Sequence, residues 1–265
     1  MEDIYEEIIR LKSKGECAAL ATLISTSGST PREQGAKMLV REDGSILGTV
    51  GGSLLEGKVR EEAKNVMCEG KPKIIDFDLT GKDAEGMICG GVAKVYIEPI
   101  IPLSTLYIFG GGHISFTLAR IGKMLDFRVV VIDDRRDYAN PERFPEADET
   151  VADDYPNIFS QIAVNNLSYL VIVTRGHAYD QTVLEWAVTT DAHYIGMIGS
   201  RKKIKTIYNN LRTKGISEDT LKRVHAPIGL DINAETPEEI AVSIIAEIVK
   251  IRRSGVSKKR STCPV

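Results

Sequence analysis

The stretch that decides the fold is YIFGGGHISFTLARIG, residues 107–122. An apolar run ends at Gly110. Gly111, Gly112 and His113 follow, and then a helical pattern begins. This is the outline of a dinucleotide-binding turn. In that turn the first glycine permits a tight bend, the second lets the backbone approach a pyrophosphate, and the third lets helix and strand pack closely. Gly110 and Gly112 fill the first two places, and Ser115 is small enough to fill the third imperfectly. An acid is expected about 20 positions further on, where it holds ribose hydroxyls. Here VVVIDD ends in Asp133 and Asp134. Strand, glycines, helix and acid occur in the right order, which predicts a Rossmann sheet. The turn then has two readings, a nucleotide holder or a scaffold whose crevice serves another purpose.

The pattern around it supports the same class. LYIF, RVVVID, YLVIVT and YIGMI alternate with helical stretches at 113–125, 157–166, 179–190 and 200–214. Short apolar strands alternating with helices argue for a parallel sheet covered on both faces. Thr236, Pro237 and Glu239 cap a last helix, TPEEIAVSIIAEIVKIRR. Before residue 100 the pattern differs. A helix is expected over 3–14, a buried strand over 17–26, a hairpin around Asp43-Gly44, a helix over 53–69, and strands at 73–79 and 92–98. Ser53 and Glu56 fit a capping box for the second helix, and Gly70 ends it. The expected fold is therefore α/β. It comprises an α+β domain over 1–100, a linker over 101–105, a Rossmann-like domain over 106–252 that includes the last helix, and a flexible tail over 253–265.

Composition narrows the partners. A formal net charge of -3 gives no basic footprint for nucleic acid. No apolar run approaches the roughly 18 residues of a membrane span. The start, MEDIYEEIIRLKSKG, lacks the basic end and apolar core of a signal peptide. A cytoplasmic protein is expected. Cys17, Cys68, Cys89 and Cys263 form no CxxC pair and have no histidine at zinc-finger spacing.

Several stretches offer ligand chemistry. His113 sits where free amides and the helix dipole favour anions, or where it caps the helix itself. GTVGGSLLEG repeats the strand, glycine and helix order, with Gly51 and Gly52 before Ser53. In CGG, Cys89 stands beside Gly90 and Gly91 just before a strand, as an open thiol or a structural cysteine. The loop SGSTPREQGA carries Arg32, whose planar fork matches phosphate or carboxylate, and Gln34. Ligands of open α/β sheets sit at the carboxyl ends of the strands. That places Arg175, His177 and Asp180 in TRGHAYD, and Ser200 and Arg201 in IGSRKK, near the crevice, with Arg201–Lys203 also readable as a solvated helix face.

Taken together, SGSTPREQGAKMLV, GTVGGSLLE, ICGG, FGGGHI, VVVIDDR (which adds Arg135), IGMIGSRKK and HAPIGLDINAETPEEIAVSIIAEIV resemble the XdhC/CoxI family, the xanthine dehydrogenase accessory factors. The resemblance runs from about residue 15 to 252. It implies an N-terminal XdhC/CoxI domain and a C-terminal Rossmann domain. It also implies a chaperone rather than an oxidoreductase, often a dimer. Such a chaperone binds molybdenum cofactor (molybdopterin, or a nucleotide-extended form), supports its sulfuration by a cysteine desulfurase or sulfurtransferase, and delivers it to a xanthine dehydrogenase-type molybdenum hydroxylase. On that reading the glycine turns suit the phosphate, and Cys89 stands beside the metal. Ser115, and Ser53 where many relatives carry a third glycine, depart from the pattern. The alternatives are an NAD(P)-dependent oxidoreductase using Gly110, Gly112 and Asp133, or a non-catalytic nucleotide-binding regulatory protein.

Overall fold

The computed structural model describes residues 3–28, 32–78 and 91–254. The chain divides into two compact units, one over Met1–Pro102 and the other over Leu103–Ser257. Among the described residues no helix is long and apolar enough to cross a membrane.

The first unit contains α1 (Ile4–Lys14), β1 (Ala18–Ser27), β2 (Lys37–Arg41), β3 (Ile46–Gly48), α2 (Ser53–Glu69), β4 (Lys73–Asp78) and β5 (Val92–Ile100). Its strands form an antiparallel sheet in the order β3-β2-β1-β5-β4. β1 is apolar over most of its length because both its faces are covered. Ala19, Ala21 and Leu23 pack with Leu55, Val59, Ala63 and Val66 of α2. Ala18 and Leu20 pack with Leu11 of α1. The alternation is the period of two that a strand imposes. At the hairpin Gly44 has φ 80° and Asp43 accepts from the Ser45 amide, as the Asp-Gly pair predicts. β5 continues to Ile100, so the strand expected to stop at residue 98 runs two residues further toward the linker.

The N-cap expected at Ser53 is shifted by one residue. Gly52, with φ 115°, holds the N-cap position and Ser53 begins the helix. The Glu56 carboxylate instead accepts from the Thr49 hydroxyl and, at 3.5 Å, from the Gly52 amide. Gly70 does end α2 in the left-handed conformation.

The second unit contains β6 (Thr105–Phe109), α3 (His113–Met124), β7 (Arg128–Asp133), β8 (Glu149–Ala152), α4 (Tyr155–Phe159), β9 (Ser168–Ile172), α5 (His177–Ala187), β10 (Tyr194–Met197), α6 (Arg201–Thr213), α7 (Glu218–Leu221), β11 (Val224–His225) and α8 (Pro237–Ser254). All six strands are parallel, in the order β11-β10-β9-β6-β7-β8. This is the dinucleotide-binding order, which reverses between β6 and β9. One face of the sheet, with Tyr107, Phe109, Val130 and Ile132, packs against Val183, Leu184, Ile204 and Ile207 of α5 and α6. The other face, with Leu106, Ile108, Val129 and Val131, packs against Leu118, Ala241 and Ile244 of α3 and α8. The capping box of α8 forms: Thr236 accepts from the Glu239 amide, and Glu239 accepts from the Thr236 amide.

The helix expected over 157–166 is the five-residue α4. Asn165 takes the Leu167 amide on its side chain and starts a turn into β9, so Ile162 and Val164 reach the core from a loop. β8 and β11 are short strands at the two edges of the sheet, and both escape the sequence reading.

One ion cluster pins the first unit. Glu7 of α1 is buried and accepts from Arg10 at 2.5 and 2.6 Å and from Arg41 of β2 at 2.6 Å. The two guanidiniums hold its carboxyl down from 4.5 to about 2. A depressed carboxyl pKa contributes stability above the unfolded value, and that stability is lost as pH falls through the folded value. Glu7→Gln is therefore expected to lower the Tm at pH 7, with the difference from wild type shrinking between pH 4.5 and about 2. A constant difference across that window rejects the assignment.

Candidate functional site at the glycine turn

The three glycines of the opening turn have different reasons to be glycine. Gly110 has φ 112°, and a Cβ there would lie 2.4 Å from the Val173 carbonyl oxygen. A Cβ on Gly111 would lie 1.9 Å from the Tyr138 carbonyl oxygen. Around Gly112 a Cβ would meet nothing within 4 Å among the described residues. Gly112 is the N-cap of α3, and no described side chain caps that helix. The first two glycines thus serve the fold, whereas the third has free space where a side chain would begin.

Ser115 fits its position better than expected. It is fully buried, and its hydroxyl donates to the Gly110 carbonyl, closing the turn. The close approach of helix and sheet falls instead at Gly122, where a Cβ would lie 2.9 Å from Leu106 Cδ2.

The two acids after β7 are not equivalent. Asp133 is 1% exposed. Its Oδ2 accepts from the Gly111 amide at 2.8 Å, and its Oδ1 accepts from the Arg135 amide and Nε at 3.0 and 2.9 Å. Burial pushes its carboxyl up, but the Arg135 guanidinium and the two amides outweigh that and hold it below the ordinary value. Arg135 also lies over the Tyr138 ring, 3.5 Å from its centroid. Asp133 is thereby tied into the turn. Asp134 keeps one oxygen uncommitted. Its Oδ2 accepts from Arg175, whereas its buried Oδ1 has no hydrogen-bond partner among the described residues.

The remaining residues of the second unit spread along the carboxyl ends of the strands. His113 is exposed at the start of α3. Arg175 follows β9 and donates to Asp134 and to the Tyr179 hydroxyl. His177 and Ser200, at the starts of α5 and α6, line a separate cleft of about 460 Å³ with Gln181, Lys202 and Asn210. Ser200 caps α6 through the Lys203 amide, and Arg201 is exposed. Lys203 is not on a solvated face. Its side chain is 12% exposed and pairs with the fully buried Asp180, which also accepts from the Thr174 hydroxyl at 2.7 Å.

In the first unit, Arg32 and Gln34 are exposed between β1 and β2. Gly51 and Gly52 have φ 136° and 115° and lead into Ser53, and the N-cap, Gly52, has no side chain of its own to cap the helix. Gly91 directly precedes β5, while Cys89 and Gly90 lie outside the described residues. Among the described residues no group of three or more His, Cys, Asp or Glu side chains is placed to hold a metal ion. Sequence reasoning missed Arg143, whose Nε donates to the Gly111 carbonyl at 3.1 Å, and Tyr138. Both reach the turn from a loop with no periodic signal.

The different roles of the glycines are measurable. Gly111→Ala is expected to cost about 2 kcal/mol or more in denaturant unfolding, because the methyl group meets backbone. Gly112→Ala is expected to cost within about 1 kcal/mol, as at an ordinary N-cap. Equal losses would contradict the division.

Comparison with known proteins agrees with this architecture. Residues 11–78 match the model of the XdhC and CoxI family, and residues 106–248 match that of the XdhC Rossmann domain. The chain is 34% identical to the uncharacterized protein YqeB of Escherichia coli K12 over 96% of its own length and 47% of that protein's, so it spans about half of this relative. It is 23% identical to a probable xanthine dehydrogenase subunit of Bacillus subtilis 168, covering 96% of this chain and 98% of that one. It is 22% identical to the molybdenum cofactor insertion chaperone PaoD of Escherichia coli K12, covering 90% and 84% respectively. With an antiparallel α+β unit, a parallel unit of dinucleotide-binding strand order and a family match to each, the chain belongs to the XdhC and CoxI family.

Proposed function

We propose that this chain is a maturation factor for a molybdenum hydroxylase of the xanthine dehydrogenase type. It holds molybdenum cofactor, supports its sulfuration by a sulfurtransferase, and delivers it to the hydroxylase, working as a homodimer. The observation that carries this reading is the helix start at Gly112, uncapped by any described side chain, at the same end of the sheet as the Asp134 oxygen that lacks a partner among the described residues. Helix amides and the helix dipole favour phosphate, and a carboxylate oxygen accepts from a hydroxyl or N–H donor. Molybdenum cofactor combines a phosphate with a donor-bearing pterin and supplies the metal centre of the hydroxylase. The relative named as a molybdenum cofactor insertion chaperone supports the same role.

Gly112 and the first amides of α3 would hold the phosphate, and Asp134 would hold a donor group next to it. Cys89 is proposed as the neighbour of the metal, since thiolates suit soft-ligand sites. The dinucleotide-binding strand order favours a second reading, a nucleotide-binding regulatory protein without turnover.

The test is anaerobic loading of the full chain, followed by pterin and molybdenum analysis. Both are expected to co-elute in stoichiometric amounts. Cys89→Ser is expected to retain molybdenum roughly tenfold less well, the scale of losing a neighbour of a metal site. Protein that carries neither pterin nor molybdenum sinks the reading. Nucleotide retained without pterin selects the second one.

A further inference from the structure

β6 lies between β7 and β9 in the sheet. Residues following β7 and β9 therefore stand on either side of the turn that follows β6. Asp134 follows β7 and Arg175 follows β9, yet the two are joined: Arg175 Nη2 donates to Asp134 Oδ2 at 2.5 Å. This ion pair spans the carboxyl end of β6, across the point where the strand order reverses. In open α/β sheets that is the place where ligands bind.

The pair is left incomplete on one side and loosely held on the other. The Asp134 side chain is 9% exposed, and its buried Oδ1 accepts no hydrogen bond from the described residues. Arg135 Nε lies 3.9 Å from that oxygen, but Arg135 is committed to Asp133. An unsatisfied buried oxygen is costly, and an incoming donor would remove that cost. Arg175 is 42% exposed. Its guanidinium also donates to the Tyr179 hydroxyl at 2.7 Å and lies 4.8 Å from the ring centroid. It can leave Asp134 while keeping that support.

We propose that the Asp134–Arg175 pair is a removable clasp over a ribonucleotide site. The phosphate of the nucleotide competes with Asp134 for Arg175. The ribose hydroxyls donate to Asp134 and satisfy Oδ1. Asp133, at the place where the fingerprint expects the ribose acid, is a positioning residue that shapes the turn through Gly111. The assignment rests on the reading that the Gly112 turn holds a phosphate, and it names that phosphate as part of a ribonucleotide.

The test is calorimetric titration of the full chain with ADP, 2′,3′-dideoxy-ADP and inorganic pyrophosphate. Wild type is expected to prefer ADP over the dideoxy form by about tenfold or more, the scale of hydrogen bonds to a charged acceptor. Asp134→Ala is expected to bind the two equally, and to bind pyrophosphate at least as tightly as wild type, because Arg175 is released. Arg175→Gln, a change at an exposed side chain, is expected to weaken all three about tenfold while keeping the preference for ADP. Wild type that binds none of the three overturns the proposal. So does a hydroxyl preference that survives in Asp134→Ala, or one that is lost in Arg175→Gln. If Asp134→Ala does not fold, the wild-type preference and the Arg175→Gln titration decide alone. A chain that retains pterin and molybdenum but binds no ADP overturns the clasp and leaves the maturation reading standing. ADP binding by a chain that retains neither does the reverse.

Discussion

The Asp133 carboxylate is the interaction on which the site of the second unit depends. Its partners are the amide of Gly111, the amide of Arg135 and the Arg135 guanidinium. Through the first it fixes the turn after β6. Through the others it fixes the chain after β7, and with it the place of Asp134. A carboxylate buried this deeply is tolerable only when its oxygens are paired. The pairing locks two adjacent strand ends into one geometry. What remains outside that lock, the Gly112 backbone and Asp134 Oδ1, is what a ligand can reach or satisfy.

Much of the fold was legible because its signals are local. The glycines after β6, the apolar run of β7 and the caps of α8 each follow from a few neighbouring residues, and each appears where the sequence places it. The elements that were missed or misdrawn depend on distant partners. β8 and β11 exist only as edges paired to β7 and β10. Residues 157–166 carry a helical pattern, but α4 ends at Phe159, Asn165 turns the chain, and Ile162 and Val164 find the core from the loop between them. At α2, Glu56 has the spacing of a capping partner, yet it is drawn to Thr49 on the preceding loop.

The site divides along the same line. The sequence marks Gly110, Gly112 and a pair of acids, and the structure ties the first acid, Asp133, into the glycine turn. Which of two neighbouring acids is consumed by the fold cannot be read from VVVIDD. It depends on the Gly111 amide and on Arg135. The Lys203 side chain reads as solvated because its partner, Asp180, lies 23 positions away on another helix. Arg143 and Tyr138 shape the turn from a loop and leave no pattern at all.

The central claim is that the fold uses Gly111 and Asp133 and leaves Gly112 and Asp134 for the cofactor. Residue-resolved amide hydrogen exchange on the full chain, compared before and after anaerobic loading with molybdenum cofactor, tests it most directly. The Gly111 amide already donates to Asp133, so its protection should be present before loading and change little. The amides of Gly112, His113 and Ile114 should gain protection on loading. Protection of Gly112 that is already complete before loading, or a loaded chain whose exchange at Gly112–Ile114 does not change, would contradict the account.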